Sequence, residues 1–372
     1  MKILVGLSGG VDSSVAALSL KNEGHEVIGV TMRIWRDGRY AGGANSGCFG
    51  PNEEKNIAVA EAFCVRIGIP YRTFDCSDEY EREIVAYYRE EHLAGRTPNP
   101  CVRCNALMKF GLLPELAAAA GLSFDKFATG HYARVVSGGD ARRFRLSRAA
   151  DVSKDQSYFL YRLTQTQLAR HLFPIGNLEK SEVRRIAREH GIAAADRPDS
   201  QDFYSGERGE LIGEPDREGD ITDEAGVPLG KHSGHWKFTI GQRKGIGIAR
   251  PKPLYVVGLD ACRNRVIVAE AERAVRVSLT AENCNWLSIA PPETDTVIEG
   301  LAIKVRSAGD PVPGVTARIL PDGKFRADFP AGIAGIAPGQ SAVLYDGDVV
   351  LGGGVICGDA NVSPKEGEKI FW

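Results

Sequence analysis

The sequence lacks a long apolar run. Its first apolar stretch, from Ile3 to Leu7, spans five residues, whereas a membrane-spanning helix needs about 20. That stretch is also too short for the core of a secretory signal, and no later stretch is long enough to span a membrane. We therefore expect a cytoplasmic protein with no membrane association.

Cysteine is scarce as well. The 372 residues include eight cysteines, which are too few and too scattered for the disulfide scaffold of a small secreted protein. In a reducing compartment most of them should be ordinary buried residues. Cys101 and Cys104 are the exception, because they stand only three residues apart in a loop that is discussed below.

An excess of one charge is also absent. Lys and Arg number 46 and Asp and Glu number 48, giving a net charge of -2, which argues against bulk, non-specific binding of nucleic acid. A local basic face is still compatible with this balance. One run with a single acidic residue, Asp151, predicts such a face: Arg142, Arg143, Arg145, Arg148 and Lys154. This run is either a surface for backbone phosphates or an ordinary solvated face.

What the first half of the chain does contain is an alternation of strand and helix patterns. The predicted strands are Lys2–Leu7, Glu26–Met32, Tyr71–Phe74 and Phe124–Thr129. The predicted helices are Asp12–Glu23, Glu53–Ile67, Glu79–Leu93, Gln156–His171 and Lys180–Glu189. Strands separated by helices favour right-handed crossovers and a parallel sheet. The fold class is therefore α/β, with ligands expected beyond the carboxyl ends of the strands.

After about residue 200 glycine and proline become dense, and short β-rich runs replace the helices. These runs are Tyr255–Leu259, Arg265–Ala269, Leu301–Val305, Val315–Ile319 and Ser341–Tyr345. Turn signals between them, such as the sequence PDGK at 321–324, favour a compact barrel at the end of the chain. We predict three domains, at residues 1–203, 204–272 and 273–372.

A phosphate-binding loop is the sharpest local signal. The sequence SGGVDSS at 8–14 lies between an apolar strand and a helix. Two glycines let backbone amides approach an anion, and the helix N-terminus adds its positive end. Asp12 is placed to help hold Mg²⁺. No Lys follows the second glycine, so this is not a Walker A loop; the plain alternative is a capped glycine turn.

The second signal is the cysteine loop, residues 95–105, with the sequence GRTPNPCVRCN. A helix from about Arg103 would place both thiols at its first turn, about 5–6 Å apart at their Cβ atoms. The helix N-terminus, Arg96 and Arg103 would lower the thiol pKa. The alternatives are a structural pair or half of a zinc site, for which the rest of the chain offers no second cysteine pair.

Together these motifs resemble the tRNA-specific 2-thiouridylases. The strings SGGVDSS, TPNPCVRCN, ATGHYAR, KDQSYFLYRL, TIGQRKGIGI and APGQSAVLYDGDVVLGGG follow the order of that family over essentially the whole chain. The resemblance implies a PP-loop ATP pyrophosphatase domain, a small central domain and a C-terminal β-barrel. It also implies ATP and Mg²⁺, a tRNA substrate, and a sulfur donor protein or sulfide source. The expected product is 2-thiouridine at the wobble position, 34.

The resemblance also assigns residues. It places ATP at Gly6, Leu7, Ser8, Gly9, Gly10, Val11, Asp12, Ser13, Met32 and Gly130. It makes Cys104 the nucleophile and turns Asn99, Pro100 and the position of Cys101 toward the target base. It implies tRNA contacts at His131, Lys154, Asp155, Gln156 and Gln340.

The chain departs from the family at two positions. The family carries a second catalytic cysteine after a Ser-Gln-Asp string, where this chain has Tyr204, and many relatives have aspartate where this chain has Cys101. Sulfur transfer needs a partner thiol or a reductant. Cys101 is thus either the partner thiol of Cys104 or a ligand of an iron–sulfur cluster, with Cys48 as the third cysteine.

Two other functions fit part of the pattern. An amidating PP-loop ligase would leave the cysteine loop unexplained. A protein that binds tRNA or carries sulfur without completing the thiolation would suit the tyrosine at 204, but it would not need an intact adenylating loop.

Overall fold

The computed structural model describes residues 1–36, 38–42, 48–137, 143–195, 203–204 and 206–358. Its first part is a five-stranded parallel sheet of order β3-β2-β1-β4-β7. The strands are β1 Lys2–Gly6, β2 Glu26–Arg33, β3 Tyr71–Asp75, β4 Lys126–Thr129 and β7 His171–Leu172. The parallel α/β sheet expected from the sequence is confirmed.

Both faces of this sheet are covered. Ile3 and Val5 of β1 join one buried cluster, which includes residues of the two helices α1 and α8, defined below. Leu4, between them, joins a second cluster on the opposite face with Phe110 and Leu113. All three strand residues are fully buried. This is the arrangement that produces an uninterrupted apolar strand, because successive side chains of a strand point to opposite faces.

Nine α-helices occur in the described ranges, several of them only one turn long. They are α1 Val11–Asn22, α2 Glu53–Ile67, α3 Ser77–Tyr80, α4 Ala86–Leu93, α5 Pro100–Cys104, α6 Leu113–Ala119, α7 Gln165–Arg170, α8 Lys180–Glu189 and α9 Arg208–Ile212. Two π-helical turns, Glu81–Val85 and Asn105–Leu112, join α3 to α4 and α5 to α6. None of these helices is long and apolar enough to cross a membrane.

One predicted helix is wrong. In place of a helix over 156–171, the chain forms a short 3₁₀ turn at Ser157–Leu160 and then α7. The break arises because the side chain of Thr164 accepts a hydrogen bond from the backbone of Gln167, and the side-chain oxygen of Gln167 accepts one from the backbone nitrogen of Thr164. This capping box starts a new helix in the middle of the predicted one.

A four-stranded sheet of order β10-β11-β8-β9 forms the centre of the chain. Its strands are β8 Gly219–Thr222, β9 Pro228–His232, β10 Leu254–Asp260 and β11 Arg265–Glu270. Ile221, Val256 and Val266 form its small core. The size of this core is in line with the short, glycine-rich sequence of the region.

The C-terminal strands close into a six-stranded antiparallel barrel. They are β12 Val275–Trp286, β13 Val297–Lys304, β14 Val312–Ile319, β15 Phe325–Ala334, β16 Ser341–Asp346 and β17 Val349–Ile356. Pairing runs β12-β15-β14-β13-β16-β17 and returns from β17 to β12. Closure leaves no free edge within the ring, and the barrel expected from the β-rich sequence is confirmed.

A hairpin from the first half of the chain extends this barrel sheet. Its strands are β5 Ala133–Ser137 and β6 Phe144–Arg148, and β6 pairs with β17 so that Leu146 lies opposite Val350. Leu146 is fully buried beside Val343 and Tyr345 of the barrel. The predicted domain boundaries at 203 and 272 separate β6 from the barrel strands that it contacts. The sequence pattern of β6 alone does not reveal this contact.

This hairpin generates a stability prediction. Leu146→Ala should destabilise the protein by about 2–5 kcal/mol, the usual range for truncating a buried leucine, and should raise amide exchange in β16 and β17. Val136→Ala on the same hairpin is the control, because Val136 is 40% exposed. Urea unfolding and hydrogen-exchange mass spectrometry measure both effects. Unchanged exchange in β16 and β17 would show that the hairpin does not support the barrel.

Candidate active site

The phosphate loop connects β1 to α1 in a conformation that needs glycine. Gly9 has a φ of +71°, and a Cβ there would lie 2.4 Å from the backbone oxygen of Asn56. Gly10 is the N-cap of α1 and supplies no side-chain cap. The first N–H groups of a 12-residue helix therefore face the loop without a side-chain acceptor from the N-cap residue, which is the arrangement that binds phosphate groups.

Asp12 in the first turn of α1 has two partners across the site. Its Oδ1 accepts a hydrogen bond of 2.8 Å from the Tyr132 hydroxyl. The ammonium of Lys180 lies 2.7 and 2.8 Å from the two carboxylate oxygens. Lys180 is only 7% exposed, so this ion pair is largely shielded from water. The sequence did not single out Lys180; the signal was a lysine at the first position of an otherwise well-predicted helix.

A cavity of about 550 Å³ opens above the phosphate loop. We call it the loop cavity. All ten residues that the resemblance assigned to ATP line it, namely Gly6 to Ser13, Met32 and Gly130. A Cβ on Gly130 would lie 2.5 Å from the backbone nitrogen of Ser13. Only glycine at this position lets β4 end so close to the first turn of α1.

Three of the residues predicted to contact tRNA line the same cavity: His131, Lys154 and Gln156. The Nδ1 atom of His131 lies 2.8 Å from the Thr129 hydroxyl. Burial, together with the charge of nearby Lys109, keeps the pKa of His131 well below its usual value. The imidazole is therefore neutral, and it can recognise a base by hydrogen bonding but not by charge.

Asp155 is placed differently from its two neighbours. Its side chain is 1% exposed and accepts hydrogen bonds from the backbone of Ala149 and from both the backbone and hydroxyl of Ser157. These contacts hold the turn that carries Lys154 and Gln156. Asp155 thus does not present its carboxylate to a ligand in this structure.

Asn99 and Pro100 begin the helix that carries the two thiols. This helix, α5, starts three residues earlier than predicted and contains both Cys101 and Cys104. Asn99 is its N-cap: its side-chain oxygen accepts a hydrogen bond of 3.3 Å from the backbone of Val102. Its amide nitrogen donates to the Tyr158 hydroxyl at 3.4 Å. Asn99 is 8% exposed. It therefore positions the helix from the buried side.

The barrel fastens the segment that leads into this helix. The side-chain amide of Gln340 donates to the backbone oxygens of Thr97 and Pro98 at 3.2 and 2.9 Å. In return, the backbone nitrogen of Thr97 donates to the oxygen of Pro338 at 2.7 Å. We call these three hydrogen bonds the barrel clamp. Gln340, expected at the tRNA surface, therefore holds the cysteine loop.

The predicted lowering of the thiol pKa is wrong for Cys104. Cys104 is 8% exposed, and burial raises its pKa to about 11, although Lys109 opposes the rise. The two arginines expected to help are engaged elsewhere: Arg103 with Glu83 at 3.0 Å and Arg96 with Glu91 at 2.5 Å. Burial outweighs the end of a helix only five residues long.

Lys109 is the second residue that the sequence analysis missed. It lines the loop cavity and lies within electrostatic range of the thiols of Cys104, Cys48 and Cys101. The available signal was one charge within the apolar stretch NALMKFGLL at 105–113. Cys104 does not itself line the loop cavity. Lys109 lies between the two, because it lines the cavity and interacts electrostatically with the buried sulfur of Cys104.

Tyr204, which the resemblance places where the family carries its second cysteine, packs against the buried cluster that contains Cys104 and several aromatic side chains. Its hydroxyl donates to Glu210 and accepts a hydrogen bond of 3.1 Å from the backbone of Gly42. Tyr204 also forms a β-bridge with Phe49, next to Cys48. The remaining residues of the string at 199–205, apart from Phe203, lie outside the described residues.

The side chains available as ligands can be compared with the two expected metal groups, an iron–sulfur cluster and Mg²⁺. Across the described ranges, no three His, Cys, Asp or Glu side chains are grouped so that they could hold a metal ion. Cys48, Cys101 and Cys104 are all described, so their arrangement does not fit the three-cysteine cluster. Mg²⁺ needs fewer protein ligands, since one carboxylate and the substrate phosphates often hold it. Asp12 fits that requirement, because it lines the loop cavity.

The basic run is divided between several tasks. Arg148 is 14% exposed and lies 3.7 Å from Asp155 and 3.6 Å from Asp310, so it is structural. Arg143 donates to the backbone oxygen of Leu287 at 3.3 Å. Arg145 is exposed, Lys154 lines the loop cavity, and Arg142 lies outside the described residues. The structure thus does not gather the four described residues of the run into one phosphate-binding face.

The chain matches three domain families in sequence. Residues 1–204 match the tRNA methyl transferase HUP domain, residues 212–270 the tRNA methyl transferase PRC-barrel domain, and residues 276–356 the aminomethyltransferase beta-barrel domain. The first match alone covers more than half of the 372 residues.

Curated relatives match over nearly the full length. The tRNA-specific 2-thiouridylase MnmA of Endomicrobium trichonymphae is 46% identical over 96% of this chain and 99% of its own. The proteins of the same name from a Nostoc species and from Geobacter metallireducens are 44% and 42% identical, over 95% of this chain and 98% and 96% of their own. The chain therefore belongs to the tRNA-specific 2-thiouridylase family.

Proposed function

We propose that the chain catalyses the ATP-dependent 2-thiolation of a uridine in tRNA, at wobble position 34. One observation carries the proposal: a single cavity joins the phosphate loop to a wall beside the buried sulfur of Cys104. Activation of a base and delivery of sulfur can therefore take place in one enclosed space. The relatives that match over nearly their full length are named tRNA-specific 2-thiouridylases.

Adenylation comes first. ATP would bind in the loop cavity with its phosphates on the open N–H groups of α1, and the Asp12 carboxylate would hold Mg²⁺, which would supply positive charge for the phosphates. The uridine C2 oxygen attacks the α-phosphorus, and pyrophosphate leaves. Lys180, which pairs with Asp12 in this structure, supplies a second cation in the site. Adenylation turns a poor leaving group, oxygen, into AMP.

Sulfur transfer follows through the thiols alone. The outer sulfur of a persulfide on Cys104 attacks C2, and AMP leaves. The Cys101 thiolate then attacks the Cys104 sulfur, which breaks the bond to the transferred sulfur and releases 2-thiouridine. The product is a Cys101–Cys104 disulfide, which two electrons from a reducing thiol must reopen. The two cysteines lie one helical turn apart in α5, which suits this exchange.

Partners follow from the same geometry. His131, Lys154 and Gln156 line the loop cavity where the target nucleotide must enter. The cysteine helix is held in place by Asn99, Pro100 and Gln340. These residues therefore affect the base through the position of the helix and not by direct contact. A sulfur donor, either a persulfide protein or a sulfide source, must reload Cys104 between turnovers. All eight cysteines are free, in keeping with a cytoplasmic enzyme.

A protein that binds tRNA or carries sulfur without completing the reaction is the main competing function. The aromatic tyrosine at 204 favours it, since a phenol cannot hold sulfane sulfur. The phosphate loop argues against it, because a binding protein needs neither the left-handed Gly9 nor the close approach of Gly130. Pyrophosphate release that depends on unmodified tRNA separates the two functions.

Adenylation is tested at Asp12. Asp12→Asn keeps a side-chain oxygen for Tyr132 but loses the carboxylate for Mg²⁺, so tRNA-dependent pyrophosphate release should fall about 100-fold or more. tRNA binding in a gel-shift assay should not change. Asp125→Asn is the control, because Asp125 accepts a hydrogen bond only at the exposed start of β1. Normal ATP turnover in Asp12→Asn would contradict the assignment of the loop.

The two thiols are tested separately. Cys104→Ser should eliminate thiolation and keep pyrophosphate release, since the nucleophile is lost but the adenylation site is intact. Cys101→Ser should allow about one turnover per persulfide-loaded enzyme, because no local thiol then releases the product sulfur. Cys262→Ser, at an exposed cysteine, is the control. Sulfur-35 incorporation measures all three; sustained turnover in Cys101→Ser would mean that the resetting thiol comes from outside the chain.

The barrel clamp is tested at Gln340. If the side chain positions the cysteine loop, Gln340→Ala should lower the thiolation rate about tenfold through misplacement of the nucleophile, with an unchanged dissociation constant for tRNA. Amide exchange at residues 97–104 should rise at the same time. Weaker tRNA binding together with normal amide exchange at 97–104 would instead support the direct contact between Gln340 and tRNA that the sequence predicted.

A further inference from the structure

Lys109 occupies a position that its sequence neighbours do not explain. It lies in the π-helical turn Asn105–Leu112, between Met108 and Phe110, which are 1% and 3% exposed. A π-helix bonds residue i to residue i+5, so Lys109 stands one turn after Cys104 on the same side of the helix. In an ordinary α-helix a residue five positions on would point to a different face.

The surroundings of this ammonium group are short of negative charge. Within the described ranges no carboxylate forms an ion pair with Lys109, and no hydrogen bond is recorded for its amine. The groups that interact with it electrostatically are the thiols of Cys104, Cys48 and Cys101 and the neutral imidazole of His131. A lysine amine that is withdrawn from water usually has a carboxylate partner, and here cysteine sulfur takes that place.

Among the groups that act electrostatically on Cys104, Lys109 provides the positive charge. Cys48 from the neighbouring loop acts on it electrostatically, and Tyr80 and Cys76 from the region of α3 interact with it as well. Burial raises the pKa of Tyr80 and also that of Cys76, the latter to about 12. Tyr80 and Cys76 are therefore neutral near pH 7, whereas the ammonium of Lys109 attracts a thiolate.

We propose that Lys109 is the counter-ion of the sulfur anion on Cys104 and holds it toward the loop cavity. The inference rests on the proposed function, in which Cys104 carries the sulfur. Cys104 must be an anion to accept or deliver sulfur, and its apolar surroundings disfavour that state. The ammonium of Lys109, at the cavity wall, offsets this cost where the adenylated base is bound.

Alkylation of the full-length protein by iodoacetamide tests this role, because the thiolate is the reacting species. Arg103 lies between the two thiols, so trypsin places Cys101 and Cys104 on separate peptides for mass spectrometry. Rates are measured from pH 8 to pH 10.5. Lys109→Met should slow alkylation of Cys104 about tenfold or more at each pH, since a nearby opposite charge shifts a pKa by about one to three.

Three variants separate charge from packing. Lys109→Arg keeps the charge and should keep a rate close to that of the wild type, whereas Lys109→Gln should be as slow as Lys109→Met. Lys55→Met removes another lysine that lines the loop cavity but does not act on Cys104, and it should leave the Cys104 profile unchanged. A Lys109→Met profile equal to that of the wild type, or an arginine variant as slow as the methionine variant, would overturn the proposal.

Activity assays distinguish this inference from the function on which it rests. In Lys109→Met, tRNA-dependent pyrophosphate release should persist while sulfur incorporation falls about tenfold or more, in proportion to the lost thiolate. Loss of ATP binding in this variant would mean that Lys109 serves the nucleotide, and the counter-ion role would be wrong. A wild-type protein that never thiolates tRNA would refute the proposed function and leave the alkylation result standing.

Discussion

The hydrogen bonds of the barrel clamp decide where the sulfur lies. Gln340 and Pro338 of the C-terminal region fix the backbone of Thr97 and Pro98, and α5 begins two residues later. The phosphate loop belongs to a different layer, the parallel sheet. The distance between the activated base and Cys104 is thus set by how the barrel docks on the sheet, so the most remote part of the chain helps to define the active site.

The sequence was most informative where a local pattern has only one conformation. The glycines at 9 and 130 are required by close backbone contacts, and the strands of the barrel follow from their alternation. It was least informative where partners come from distant segments. Neither the ion pair of Lys180 with Asp12, 168 residues apart, nor the pairing of β6 with β17 leaves a periodic trace. Lys109 escaped notice because its position depends on a π-turn, which has no simple sequence signature.

The environment of Cys104 shows two competing electrostatic effects. A helix N-terminus favours an anion by about 0.3–1 kcal/mol at an exposed site. The rise in the Cys104 pKa from 9.0 to about 11 corresponds to about 3 kcal/mol in the opposite direction. The buried thiol is thereby kept protonated near pH 7. Lys109 opposes this rise, so the reactivity of the sulfur depends on that cation.

The hairpin of β5 and β6 has a consequence for synthesis on the ribosome. Ser147 bonds to Asp348, 201 residues later in the chain, and a ribosome adding about 5–20 residues per second needs at least about ten seconds to cover that interval. During this time one edge of β6 has no strand to pair with, and the cysteine helix has no clamp. The nascent protein therefore carries a complete phosphate loop before its sulfur chemistry can be assembled, and β17, the last of the described strands to emerge, is the one that completes this assembly.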